Sequence, residues 1–115
     1  MRFSRSLKEN HLFRRLYRKG NSLANGFLVL YCRENGLAEN RLGLTVSAKM
    51  GCAVKRNKVR RRLREIYRLN EEKFLPGHDL VIVVRSRGMT ADYRQLERAL
   101  LSLANRLGVL REKQA

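Results

Sequence analysis

Tryptophan is absent from this chain of 115 residues, proline occurs once, and only 10 acidic residues stand against 26 lysines and arginines. Its two cysteines, Cys32 and Cys52, form no CxxC pair and have no histidine nearby. A structural zinc site needs four closely spaced ligands, so these cysteines are read as two reduced thiols. His11 and His78 are likewise isolated. The longest apolar run is Phe27–Cys32, six residues. A helix that crosses a bilayer needs about 20, so none is expected. Near the N-terminus Arg14, Arg15, Arg18 and Lys19 fall where a secretory signal would be apolar, which leaves the cytoplasm as the expected location. A Walker loop, a dinucleotide fingerprint, an HExxH motif and a nucleophile elbow are all missing. So is a carboxylate cluster that would hold Mg²⁺. No catalytic residue and no metal ligand is therefore assigned to this chain.

What is present is cationic charge on a chain able to fold. The formal net charge is +16, and 43% of the residues are hydrophobic, enough for the core of one domain over residues 1–115. Uncompensated charge of this size strains a small globule unless a polyanion shares it. Nucleic acid is the first candidate partner. An anionic membrane surface is the weaker one, because the basic helix is not strongly apolar on its other face.

Residues 1–9, with Arg2, Arg5 and Lys8, read as a basic arm. A helix follows and ends at Lys19, with Gly20 as its cap. It starts either with a Ser6–Glu9 capping box or at Asn10. Leu12/Leu16 and Phe13/Tyr17 are i,i+4 pairs on neighbouring stripes. A short strand is possible near Ser22–Asn25. Phe27–Arg33 reads as a strand with Leu28, Leu30 and Cys32 on one face and Phe27, Val29 and Tyr31 on the other. That second face is either covered by apolar groups or carries aromatics toward a ligand. Glu34–Asn40, with Gly36, is the expected hairpin connection to a strand over Arg41–Ser47. On that strand Leu42, Leu44 and Val46 oppose a small polar face of Gly43, Thr45 and Ser47. A turn over Ala48–Cys52 leads to a long helix from about Ala53 to Lys73. Leu80–Val84 makes Asp79–Arg85 a strand buried on both faces, in the middle of a sheet. A last helix over Asp92–Leu107 carries Leu96, Leu100, Leu103 and Leu107 on one stripe, and a polar tail, residues 108–115, follows. The order α-β-β-α-β-α predicts a single-domain α+β sandwich: a small mixed sheet with helices packed on one face.

Seven of the ten residues from Lys55 to Arg64 are basic, and no acid occurs from Asn40 through Arg64. Helical spacing puts Val59, Leu63 and Ile66 on the face that docks. Arg56, Arg60 and Arg64 form an i,i+4 row, with Arg61 and Arg68 beside it. Such a row repels itself unless phosphates compensate it. The guanidinium fork suits phosphate, and the helix N-terminus adds free N–H groups near Lys55 and Arg56.

The stretch RLGLTVSAKMGCAVKRNKVRRRLREIYR, Arg41 to Arg68, resembles the signature of the bacterial ribonuclease P protein subunit. That family has a strand ending in VS, then Lys and Gly, then AV-x-RN and a basic helix. Phe13, Tyr17 and Gly20 match its aromatic first helix, Tyr31 its strand aromatic, and Asp79–Ile82 its later strand. The resemblance covers roughly residues 7–107. Arg56-Asn57-Lys58 stands where the family has an RNR triplet, and Ala48 where a second Lys is common.

The resemblance implies a subunit of a ribonucleoprotein endoribonuclease that removes the 5′ leader from precursor tRNA. Catalysis and Mg²⁺ belong to the catalytic RNA, and the protein alone is inactive. Lys49, Lys55, Arg56, Asn57, Lys58, Arg60, Arg61, Arg64 and Arg68 are implied to bind that RNA. Phe13, Tyr17, Tyr31, Thr45 and Ser47 are implied to line the leader cleft. A left-handed βαβ crossover through the basic helix is also implied, along with partners that are RNA and tRNA, neither a membrane nor a second protein. Three other readings were open. A ribosomal-protein-like RNA binder would lack the aromatic cleft. A helix-turn-helix protein would need a tight helix pair, whereas this basic helix lies between strands. A self-sufficient nuclease would need the missing carboxylates.

Overall fold

A computed structural model describes residues 4–7 and 10–111, the side chains at 5 and 10–12 excepted. Arg2 and Lys8 of the basic arm, Glu9 of the Ser6–Glu9 box, the Leu12 side chain and the tail beyond Arg111 lie outside the described residues. The elements are β1 (Ser4–Ser6), α1 (Asn10–Lys19), β2 (Asn21–Ala24), β3 (Leu28–Glu34), β4 (Asn40–Thr45), α2 (Ala53–Asn70), β5 (His78–Val84) and α3 (Tyr93–Leu107). They form a mixed α+β domain around a five-stranded sheet in the order β1-β4-β5-β3-β2.

β5 takes the centre because Leu80, Val81, Ile82 and Val84 are all apolar and must be covered on both faces. It runs parallel to β4 and antiparallel to β3. The hairpin expected between β3 and β4 is therefore not there: β5 lies between them. The link over residues 35–39 instead passes the start of β5, where the Asn35 amide donates to the Gly77 carbonyl at 2.9 Å. The true hairpin is β2–β3. Its turn is closed by Asn25, whose Oδ1 accepts from the amides of Phe27 and Leu28 at 3.0 and 2.9 Å. Ser4–Ser6, read as part of the arm, is a parallel edge strand on β4.

The main core lies on one sheet face. Leu28, Leu30, Cys32, Leu42, Leu80, Ile82 and Val84 meet Val59, Leu63, Ile66 and Tyr67 of α2 and Leu96, Leu100 and Leu103 of α3. The expectation that all helices share this face fails for α1. Leu16 packs with Leu7 and Val81 on the opposite face. The cause is β5 itself, whose Val81 needs a second cover. Phe27 also departs from its expected face: it precedes β3 and packs against the main core.

α2 ends at Asn70, three residues short of the expected end, and a 3₁₀ turn follows. Asn70 Nδ2 donates back to the Ile66 carbonyl at 2.8 Å and to Glu97 at 3.0 Å. Asp92 caps α3 in a reciprocal box with Gln95, and Gly108 closes it with φ of 78°. The stretch after Gly108 is not simply a polar tail. Val109 and Leu110 are buried, and the Val109 carbonyl accepts from the Leu75 amide at 2.7 Å.

Candidate nucleic-acid interface

The strand register sets side chains in rows on the face that carries α1. One row is Gly43, Val81 and Tyr31; the next is Thr45, Val83 and Val29. α1 seats Leu16 and Phe13 over the first row. The three residues of the second row remain half-buried. They floor an open groove beside the helix. Tyr17 forms its lip, 44% exposed. Its ring meets Tyr31 edge-on at 4.8 Å and stands 6.5 Å from Phe13. Its hydroxyl lies 3.5 Å from Thr45 Oγ1. The i,i+4 spacing on α1 thus brings Phe13 and Tyr17 to the groove edge, where the strand supplies Tyr31.

On the far side of Phe13, at the β4 edge of the sheet, arginines of α2 come round to this side. β1 pairs with β4 only along Asn40–Leu42, and the last bond is from the Leu7 amide to the Leu42 carbonyl at 2.7 Å. Beyond it a cavity of about 190 Å³ opens between Leu7, Phe13, Gly43, Leu44, Arg60 and Arg64. Val59, Leu63 and Ile66 are buried beneath the helix. The rotation of about 100° per residue takes Arg60 off the Val59 face and toward this edge, and Arg64, four residues on, follows it. Arg60 and Arg64 thus share one hollow with Phe13, although their helices lie on opposite sheet faces.

The other basic positions spread out. Arg56 is half-buried, and its Nε is buried with no hydrogen-bond partner. Lys55, Asn57, Lys58 and Arg61 are exposed. Asn57 Oδ1 accepts from Arg60 Nη1 at 3.0 Å, which orients that arginine. Lys49 is exposed in the 3₁₀ turn Ala48–Met50, and Ser47 accepts from its amide at 3.2 Å. Ser47 therefore lies past the end of β4, and its oxygen caps a turn. Arg68 is paired with Glu65, with Nε at 3.1 Å from Oε2. The Arg68 hydrogen bond holds the Glu65 carboxyl below its ordinary range, and the same bond raises Arg68.

Cys52 sits at the N-cap of α2, exposed, and the Lys55 backbone hydrogen bond lowers its thiol pKa. Cys32 is buried in the main core, and burial pushes its thiol up. Among the described residues no three His, Cys, Asp or Glu side chains gather to hold a metal ion. No described helix is long and apolar enough to cross a membrane.

Sequence reasoning missed three residues of this face and two arginines beyond β5. Gly43 is buried under Phe13 rather than part of an open polar face. Val29 and Val83 are floor. Arg85 continues the Val81–Val83 alternation one step past β5, and its Nη1 donates to the Asn25 carbonyl at 2.8 Å. Counting the period of two through to Arg85 would have found it. Arg87 lies over the Phe27 ring at 5.0 Å, which no periodicity announces.

Aromatic side chains beside a half-open sheet row, with arginines at the rim, are the means by which proteins hold single-stranded nucleic acid. Fold and site thus define an α+β RNA-binding protein. The family model for Ribonuclease P matches residues 1–108. The Ribonuclease P protein component of Alkaliphilus oremlandii is 42% identical over 104 residues, 90% of this chain and 91% of that protein. That of Clostridium botulinum is 43% identical, over 90% of this chain and 94% of its own. The solved RNase P protein of Staphylococcus aureus superposes with a TM-score of 0.83 at 30% identity, covering 93% of this chain and 96% of that one. The RNase P protein of Thermotoga maritima gives a TM-score of 0.78 at 33% identity, over 84% and 92%. This chain belongs to the ribonuclease P protein family.

Proposed function

We propose that this chain, the protein component of the endoribonuclease that matures tRNA 5′ ends, holds the catalytic RNA on the basic flank of α2 and the 5′ leader of precursor tRNA in the groove beside α1. Lys49, Lys55, Arg56, Asn57, Lys58, Arg60, Arg61 and Arg64 meet phosphates of the catalytic RNA. Arg68 contributes less, because Glu65 already occupies it. Phe13, Tyr17 and Tyr31 offer ring faces and edges to leader bases, and Thr45 offers a hydroxyl. Ser47, beyond the strand, serves only the groove's far end.

The observation that carries this reading is the Tyr17–Tyr31 contact at 4.8 Å, with Tyr17 left exposed over a half-buried floor. Stacking on aromatics is indifferent to base identity, which suits leaders of varied sequence. The described residues do not fit a protein-held Mg²⁺ site. By the family's pattern the ion and the hydrolytic step belong to the RNA, and this chain's share is binding and orientation. Its place of work is the cytoplasm, and it needs no second protein.

The test is paired affinity measurement on the reconstituted particle. Tyr31→Ala should weaken precursor binding roughly tenfold, since stacking is worth about 1–3 kcal/mol per base. Mature tRNA, which has no leader, should bind as before. Equal losses for both, with a lowered melting temperature, would return these aromatics to the core and remove the groove from the account.

A further inference from the structure

We propose that the outward face of α1 is a second phosphate path, which carries the leader onward over Tyr17 after it leaves the groove. This rests on the groove being the leader's seat.

Arg14, Arg15, Arg18 and Lys19 are all exposed on α1. At about 100° per residue, Arg14 and then Arg18 follow Tyr17 around the helix away from the sheet, and Arg15 and Lys19 lie beyond them. A strand rising past the exposed Tyr17 ring therefore meets Arg14 first.

These four, like Arg61 and Arg64 of α2, are left without a side-chain partner among the described residues, whereas several other cations are held. Arg41 is bound by Asp79, Arg68 by Glu65, Arg62 by the Ala91 carbonyl, Arg85 by that of Asn25 and Arg111 by that of Glu72. Among the described residues none of the α1 four makes an ion pair or hydrogen bond through its side chain, and Asn10–Lys19 contains no acid. Arg18 and Lys19 gain from the negative end of the helix. Arg14 and Arg15 sit in mid-helix without that gain, and the i,i+4 pairs Arg14/Arg18 and Arg15/Lys19 repel. A polyanion relieves this repulsion. A bilayer is a poor occupant, because the apolar stripe of α1 is spent on Val81. The face is instead continuous with the aromatic lip, so the polyanion it meets is the strand that crosses that lip.

The experiment compares the wild-type chain with Arg14→Gln/Arg18→Gln, each reconstituted with the catalytic RNA. Three probes are titrated across monovalent salt: mature tRNA, a precursor whose short leader only fills the groove, and a precursor whose long leader extends past it. The double variant should bind the long-leader precursor more weakly. Its log–log salt slope should be shallower by about 0.7 per contact, about 1.4 in all. Mature tRNA and the short-leader precursor should be unaffected. Equal weakening on all three probes would assign the face to folded RNA and overturn the proposal, as would no change on any. Tyr31→Ala is run alongside. If it leaves precursor preference intact while the arginine effect still depends on leader length, the groove assignment fails and the leader meets the α1 face by another route, which overturns the path over Tyr17.

Discussion

The Phe13 ring occupies the space that a side chain at Gly43 would need. A Cβ on Gly43 would stand 2.7 Å from Phe13 Cζ and 2.8 Å from Cε1, with Val81 Cγ2 at 3.3 Å. No special backbone angle is required of Gly43. The glycine is there for close approach, and it decides how deep α1 sits and where Tyr17 meets Tyr31. In Gly43→Val the overpacking should lower stability by about 1–3 kcal/mol. Gly43→Ala should melt close to wild type, because a strand alanine recovers about 0.5–1 kcal/mol of backbone entropy. Both should reduce the preference for precursor over mature tRNA. An alanine variant with full preference would show that the ring moves without consequence for the groove.

Arg60 and Arg64 line the hollow at the β4 edge, with the buried Val59/Leu63/Ile66 stripe underneath. Replacing both with Ala should leave the fold intact, since neither belongs to that stripe. Binding to the catalytic RNA should weaken, and each lost phosphate contact should flatten the log–log salt dependence by about 0.7–0.9. A folded double variant with an unchanged slope would remove these arginines from the interface.

The Tyr67 hydroxyl is buried 2.8 Å from Ser4 Oγ and accepts from Asn40 Nδ2 at 3.2 Å. Burial raises its pKa above the ordinary 10.0, outweighing those two hydrogen bonds. The folded state thus holds the phenolic proton more tightly than the unfolded one. This contribution is whole below the unfolded pKa and is lost as pH climbs through the folded value. Tyr67→Phe should cost about 1 kcal/mol at neutral pH. Melting curves from neutral to strongly alkaline pH should then fall less steeply for Tyr67→Phe than for wild type. Parallel alkaline limbs would contradict the assignment.

Cys52 and Cys32 should differ sharply toward an alkylating reagent. The exposed Cys52 thiol, lowered at the start of α2, should react in the native protein. Cys32, buried and raised, should react only after denaturation. Mass spectrometry after brief native labelling reads the ratio, and comparable modification of the two would refute the contrast.

Much of this fold is legible in local patterns because those patterns are short-range. The Leu96/Leu100/Leu103 stripe, the Asp92 cap and Gly108 each act within a few residues, and α3 lies where they place it. The apolar run of β5 requires burial on both faces, and this strand is indeed central. The same run implies a cover on the second face, which α1 supplies. Placing every helix on one face overlooked that consequence. The β3–β4 hairpin was misread because a short polar loop with Gly36 looks alike whether its strands are neighbours or one strand apart.

By itself the sequence determined the class of partner, the basic helix and its docking stripe, and the family, since charge and spacing are properties of the chain as written. Only the tertiary structure decided that Phe13, Tyr17 and Tyr31 come together beside the sheet, and that Arg60 and Arg64 line a hollow with Phe13. It also decided the roles of Gly43, which admits a ring, and of Val109 and Leu110, which close the core. The physical reason is the same in each case. Which faces meet depends on strand order and register, and these follow from β5 inserting between β3 and β4, strands whose contacts with it are distant along the chain.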